Sequence, residues 1–208
     1  HGTRFEIHGL VAGRNLDVLC SQILEFTPKV VSVADETSLE ALHIRLKESA
    51  LPRKNWPELT AGPVSRVAAA TAPEVDFVMS AIVGVAGLEA TYEAIRKKKR
   101  IGLANKEVLV ASGALVMQAV QEAQVQLIPV DSEHNGAHQC LRAGARSEVI
   151  RLILTASGGP FRDTPKQDLW HVTPEQALNH PTWKMGRRIT VDSATLMNKG
   201  FEVIGACW

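Results

Sequence analysis

Residues 100–130 read RIGLANKEVLVASGALVMQAVQEAQVQLIPV. Arg100–Ala104 is a short apolar run, Glu107–Ala123 carries apolar residues at helical spacing, and Val125–Val130 is again β-rich. The stretch predicts strand, helix, strand, and a crossover of that length joins parallel neighbours. Upstream the same alternation recurs. Phe5–Val11 is a strand candidate, followed by Leu16, Leu19, Cys20 and Ile23 along one helical face. Lys29–Val33 is the next strand. Thr37-Ser38-Leu39-Glu40 then has capping-box spacing ahead of Leu42 and Leu46. Val75–Val83 reads as a buried strand, with Leu88, Tyr92 and Ile95 on the helix after it. Strands alternating with helices predict an α/β fold: a doubly wound, mainly parallel, Rossmann-like sheet.

Beyond Val130 the rhythm changes. Gly, Pro, Ser and Asn cluster at 157–162 and 180–187, with one further strand expected at Arg151–Ala156. Thr173-Pro174-Glu175-Gln176 combines an N-cap, a proline in the first turn and a capping-box Gln, which starts a short helix. The expected division is therefore residues 1–130, a nucleotide-type α/β domain, and 131–208, an α+β domain.

Composition narrows the function classes. Lys+Arg 23 against Asp+Glu 22 leaves +1 over 208 residues, which argues for neither nucleic-acid nor membrane partners. The longest apolar-plus-glycine run, Ala81 to Leu88, is too short to span a bilayer. Three widely spaced cysteines, Cys20, Cys140 and Cys207, read as free thiols. With no leader-like segment at the start, the expectation is a cytoplasmic protein. His1 lies almost directly before a strand and Trp208 ends a running helix, so both ends are expected to be internal to a longer chain.

Chemistry-bearing residues sit where such a fold places ligands, at strand carboxyl ends. After Phe5–Val11, Gly13 lets the backbone approach a ligand. Arg14 and Asn15 offer donors suited to a 2′-phosphate, or Asn15 simply caps the next helix. Val125–Val130 runs into Asp131-Ser132-Glu133-His134-Asn135. In an extended segment Asp131 and Glu133 point the same way, as a hard divalent cation requires, although strand-end acids also cap helices. Ser157-Gly158-Gly159-Pro160 fits an anion-binding nest or a plain tight turn. Val191 through Glu202 concentrates hydroxyl, amide, ammonium and carboxylate groups; Ser193, Asn198 and Lys199 suit a phosphate. Glu202 lies four residues after Asn198 on the same helical face. Gly205 stands mid-helix, where glycine costs about 1 kcal/mol relative to Ala.

Asn105-Lys106-Glu107, Pro129 through Asn135, Ser157 through Arg162, His180-Pro181-Thr182-Trp183-Lys184-Met185-Gly186-Arg187 and Val191 through Glu202 together closely resemble the 1-deoxy-D-xylulose 5-phosphate reductoisomerase family, in order and with matching spacing. The resemblance implies an NADP-dependent oxidoreductase that rearranges and reduces 1-deoxy-D-xylulose 5-phosphate to 2-C-methyl-D-erythritol 4-phosphate. By motif match Asp131, Glu133 and Glu202 would hold Mg²⁺ or Mn²⁺, with Co²⁺ as an alternative. Lys106, Ser132, Glu133, Ser157, His180, Ser193, Asn198, Lys199 and Glu202 would bind substrate. Catalysis would rest on Lys106, Asp131, Glu133 and Glu202. Gly13, Arg14, Asn15, Asn105, Glu107 and Gly186 would line the NADPH site, with Trp183 and Met185 on a lid. The family's Gly-rich first nucleotide loop and its C-terminal domain have no counterpart here. The resemblance also implies a homodimer when full length. A competing reading is a metal-dependent hydrolase using Asp131, Glu133, His134 and His138, since two histidines at i, i+4 can bind Zn²⁺.

Overall fold

The computed structural model describes residues 5–208. In chain order its elements are β1 (Gly9–Val11), α1 (Leu16–Phe26), β2 (Val30–Val33), α2 (Glu36–Glu48), β3 (Glu58–Ala61), α3 (Gly62–Thr71), β4 (Phe77–Ser80) and α4 (Leu88–Arg96). There follow β5 (Arg100–Leu103), α5 (Glu107–Ala123), β6 (Leu127–Pro129), α6 (Ser132–Leu141), α7 (Pro174–Ala177), α8 (Arg187–Ala194) and α9 (Met197–Ala206). The strands form two three-stranded sheets, β1-β2-β3 and β4-β5-β6. Register pairs such as Val31 with Leu59 and Val78 with Ile101 are parallel. The chain divides into two units. One holds the residues up to Asn105 with Val116–Ile128; the other holds Lys106–Leu115 with Pro129–Trp208. The passage runs along α5, whose ladder is broken at Ser112 (φ −148°, ψ 30°).

The first unit is built by apolar periodicity. Leu16, Leu19 and Ile23 of α1, Val31 and Val33 of β2, and Leu42 and Leu46 of α2 form one buried cluster. α4 buries Ala90, Thr91, Ala94 and Ile95. The Thr91 hydroxyl donates to the Gly87 carbonyl and lies 2.7 Å from Ser80 Oγ on β4, so the one polar group on that face is satisfied. Gly102 on β5 gives space to Phe77, whose Cζ would lie 2.8 Å from a Cβ there.

Several expectations change in detail. Phe5–His8 precedes the ladder: Phe5 is 83% exposed, and pairing starts where the His8 carbonyl accepts the N–H groups of Lys29 and Val30. α2 starts earlier than the Thr37 capping box suggested, because Asp35 is the N-cap and its carboxylate accepts the Ser38 N–H and hydroxyl. β3 and α3 were not expected. α3 buries only Ala69 and Ala70, too small to make an apolar stripe, and its Pro63 at the first turn is the signal that marks it. The strand expected at Arg151–Ala156 does not form. A strand needs a ladder partner, none pairs with it among the described residues, and Ile150 and Ile153 stand exposed. α7 forms as read, with the reciprocal Thr173–Gln176 capping bonds.

Candidate functional site

The second unit gathers its charged residues by short local devices. Asp131 takes the N-cap position of α6, yet its side chain makes no capping bond; Oδ2 accepts from Lys106 Nζ at 2.8 Å instead. Glu133 lies in the first helical turn. The two acids therefore converge through a helix start, not through the extended segment the D-x-E spacing suggested. Asn135 pins that start: its Nδ2 donates to the Pro129 carbonyl at 2.7 Å and its backbone N–H to the Asp131 carbonyl at 2.8 Å.

The third acid arrives on α9. Val191–Glu202 is not one helix: α8 ends at Ala194 with Thr195 as its C-cap, and Leu196 in the left-handed region (φ 61°) is the N-cap from which α9 starts. Glu202 is fully buried. Its Oε1 accepts from Lys106 Nζ at 2.8 Å and from Asn198 Nδ2 at 2.7 Å; its Oε2 accepts from Lys199 Nζ. Lys199 also reaches Glu133 Oε1 at 3.3 Å, and Ser132 Oγ donates to Glu133 Oε2 at 2.6 Å. Ion pairing is what makes a buried carboxylate tolerable. Burial presses the Lys106 ammonium toward neutrality, but hydrogen bonds and charge from Asp131 and Glu202 outweigh it and raise the pKa. For Glu133, burial pushes upward, and the Ser132 and Lys199 hydrogen bonds overcome it to lower the pKa.

One oxygen each from Asp131, Glu133 and Glu202 can be chosen so that all lie within 4.8 Å of one another. Three carboxylates against two ammonium groups leave the cluster one negative charge in excess. Asp131 Oδ1 is a buried oxygen without a hydrogen-bond partner, the only such side-chain atom among the described residues. An unsatisfied buried carboxylate oxygen is costly, and a cation is the partner its chemistry suits. This donor set fits a hard divalent ion. The His134–His138 pair is not in the group.

The cluster opens into a cavity of about 370 Å³. Lys106, Asp131, Ser132, Glu133, Ser157, His180, Ser193, Asn198, Lys199 and Glu202, all singled out from sequence, line it together. Trp183 and Met185 are also in its wall, as are Ile189 and Leu196, whose apolar side chains gave no chemical signal in the sequence. In the same lining, Ser157 Oγ lies 3.1 Å from His180 Nε2 and 3.5 Å from Ser193 Oγ. His180 Nδ1 accepts the backbone N–H groups of Thr182 and Trp183, which leaves Nε2 as the donor nitrogen of the neutral ring. Gly158 and Gly159 both have positive φ, and a Cβ at Gly159 would lie 2.7 Å from the Ser193 carbonyl oxygen. That close approach puts Ser157 beside Ser193. The Gly159 N–H turns back to Ser157 Oγ at 3.3 Å.

The remaining candidates lie elsewhere. In the first unit Gly13, Arg14 and Asn15 are exposed between β1 and α1. Asn15 Oδ1 caps α1 through the Val18 N–H at 3.3 Å, and no atom lies within 4 Å of a Cβ at Gly13. Asn105 is buried and donates to the carbonyls of Ile82 and Gly84, holding the loop after β4. In the second unit Glu107 opens α5, 4.0 Å from Arg188, and Gly186 is the N-cap of α8. No helix among the described residues is long and apolar enough to cross a membrane.

Family models for the 1-deoxy-D-xylulose 5-phosphate reductoisomerase match residues 1–113, and for its C-terminal domain residues 127–208. A 1-deoxy-D-xylulose 5-phosphate reductoisomerase of Solibacter usitatus is 65% identical over 204 residues, 98% of this chain and 51% of its own length. One from Thermoanaerobacter pseudethanolicus is 52% identical over the same coverage. Among solved structures, a DOX-P reductoisomerase in complex with NADPH, fosmidomycin and magnesium superposes with a TM-score of 0.85 at 35% identity, over 100% of this chain and 52% of that one. The Zymomonas mobilis enzyme in complex with NADPH gives 0.83 at 43%, over 98% and 50%. The chain spans about half the length of the curated relatives it matches.

Proposed function

The chain belongs to the 1-deoxy-D-xylulose 5-phosphate reductoisomerase family, and on that premise we propose that the full-length protein converts 1-deoxy-D-xylulose 5-phosphate to 2-C-methyl-D-erythritol 4-phosphate with NADPH and a divalent metal. The observation that carries this reading is the convergence of Asp131, Glu133 and Glu202, with one buried oxygen unsatisfied, at the wall of a cavity. Support for the ligands comes from relatives whose structures hold NADPH, magnesium and fosmidomycin. In this reading residues 1–130, Lys106 apart, serve the nucleotide, and 131–208 with Lys106 serve the metal and substrate.

Mg²⁺ or Mn²⁺ held by Asp131, Glu133 and Glu202 would supply Lewis-acid polarisation of a carbonyl and an adjacent hydroxyl. NADPH would supply the hydride that reduces the rearranged aldehyde. The chain's own residues do the positioning. Lys106 keeps Asp131 and Glu202 turned inward through its two hydrogen bonds. Ser157, His180, Ser193, Asn198 and Lys199 offer hydroxyl, imidazole, amide and ammonium donors for a phosphate, whose binding orients the reacting carbons at a distance. Trp183, Met185, Ile189 and Leu196 supply the apolar part of the wall. On the nucleotide side Arg14 is the exposed cation suited to a 2′-phosphate, beside the open backbone of Gly13. The family resemblance also supports a cytoplasmic homodimer.

The test is NADPH oxidation by the full-length protein with 1-deoxy-D-xylulose 5-phosphate, with and without a chelator. Turnover that a chelator abolishes and Mg²⁺ restores is expected; turnover indifferent to metal would overturn the assignment.

A further inference from the structure

Two features outside the substrate cavity's own chemistry meet at one histidine. His134 Nε2 lies 2.7 Å from the backbone carbonyl oxygen of Glu202, 68 residues away in sequence. A carbonyl only accepts, so Nε2 carries the proton and donates. The ring rests on Gly205: a Cβ there would lie 2.6 Å from His134 Cε1 and 3.0 Å from Nε2. That closeness accounts for a glycine inside α9, where propensity disfavours it. Gly205 is the recess that lets α6 approach α9. On the ring's other side Nδ1 is 3.9 Å from Asp131 Oδ1, beyond hydrogen-bond reach. That oxygen therefore keeps its lone pairs for another partner.

We propose that His134, seated on Gly205, is a positioning residue for the metal site: it fixes the backbone of α9 at Glu202 against the helix start that presents Asp131 and Glu133. Neither helix alone can set this distance. Asp131 and Glu133 belong to one end of α6, and Glu202 to a separate helix that begins with a left-handed residue. The Nε2–H bond and the glycine recess are the contacts that hold the third acid in register with the first two without occupying any carboxylate oxygen. Partners of this outer kind typically change metal affinity by about 10–100-fold when removed.

The proposal rests on the metal reading above, and the experiment separates the two. Mn²⁺ affinity of the full-length protein is measured by electron paramagnetic resonance in the absence of substrate, for wild type, Glu202→Gln, His134→Phe, His134→Gln and Gly205→Ala. Glu202→Gln should bind more weakly than wild type; unchanged affinity there would overturn the metal site itself. Given that loss, His134→Phe and Gly205→Ala should each weaken Mn²⁺ by about 10-fold or more. His134→Gln, which keeps an N–H donor, should recover much of the affinity. Wild-type affinity in His134→Phe or Gly205→Ala, with Glu202→Gln impaired, would overturn the positioning role. Equal losses in His134→Phe and His134→Gln, accompanied by equal falls in metal-free thermal stability, would also overturn it, since packing alone would then explain them. If His134→Phe does not fold, Gly205→Ala decides the matter, because it retains the imidazole and moves only its seat.

Discussion

The two units of this chain are held together by opposite means. In the first, the fully buried large side chains are Leu19, Ile23, Leu42, Leu46, Ile95, Ile101, their aliphatic neighbours and the hydrogen-bonded Thr91. In the second, the corresponding residues are Val108 and Glu202, and Glu202 is surrounded by Lys106, Asn198 and Lys199. Apolar burial is non-directional and tolerant of its ligand state. A buried ionic cluster with a surplus negative charge and an unsatisfied oxygen is directional, and its chemistry suits a cation. The first unit is a platform, and the second trades core for chemistry.

The most severe way to break that comparison is to remove one buried side chain from each kind of core. Lys106→Met should destabilise by about 3–5 kcal/mol, because Asp131 and Glu202 lose their shared buried counter-ion. Leu42→Ala should cost about 2–5 kcal/mol through a cavity between α1 and α2. The two losses are similar in size but differ in location. Hydrogen exchange on the full-length protein should show α6 and α9 losing protection in the first variant, and α1 and α2 in the second. Added Mg²⁺ or Mn²⁺ should raise protection in wild type by up to about 2.7 kcal/mol at 100 times the dissociation constant, in α6 and α9 alone. An equal gain in α1 and α2 would mean one cooperative unit and would erase the contrast.

The same contrast governs what could be read from sequence. The first unit was legible where large apolar residues carry the period: Leu16, Leu19 and Ile23, or Val31 and Val33, announce their elements. It failed at α3, whose buried residues are alanines, and at β3, a strand of four residues that starts on an exposed glutamate. In the second unit single residue types were informative and backbone geometry was not. Asp131 and Glu133 stand out as hard anionic donors from their spacing, Glu202 joins them only through the family resemblance, and the three do gather. The expected route, an extended D-x-E, was wrong because Asp131 serves as an N-cap whose side chain is diverted to Lys106. Apolar composition predicts a strand at 151–156 but says nothing about whether a pairing partner exists. In sequence His134 belongs to a metal-ligand spacing and Gly205 is a helix defect, with nothing to connect them. Their meeting depends on packing between helices that local spacing does not encode.

Cofactor choice probes the platform side at intermediate size. Arg14 is exposed at the carboxyl end of β1, and a charge-assisted bond to a 2′-phosphate is worth about 1.5–3 kcal/mol. Arg14→Asp in the full-length protein should move the ratio of kcat/KM for NADPH over NADH toward NADH by about 10–100-fold, leaving Mn²⁺ affinity unchanged. A ratio that stays put would remove Arg14 from the nucleotide site.

The smallest effect asks whether charge matters to the platform's stability at all. Asp35, at the end of β2, has its carboxyl pKa held below the ordinary aspartate range. The Ser38 hydroxyl contributes most, then the Ser38 N–H, against a weak opposing effect of burial, with the Arg14 charge adding last. The folded pKa is depressed, so Asp35 contributes stability above its unfolded pKa, about 3.9. That contribution disappears as pH falls through the lower folded value. Asp35→Asn keeps an oxygen able to cap α2 through the Ser38 N–H but has no charge to titrate. Urea midpoints for the wild type and the variant should therefore lie closer together near pH 3 than at pH 7, with the wild type the more stable at neutrality. Ser38→Ala should narrow the gap at pH 7 by removing the strongest of the bonds that lower the pKa. A gap independent of pH would show that the carboxylate acts as a neutral cap does, and that the first unit's stability owes nothing to this charge.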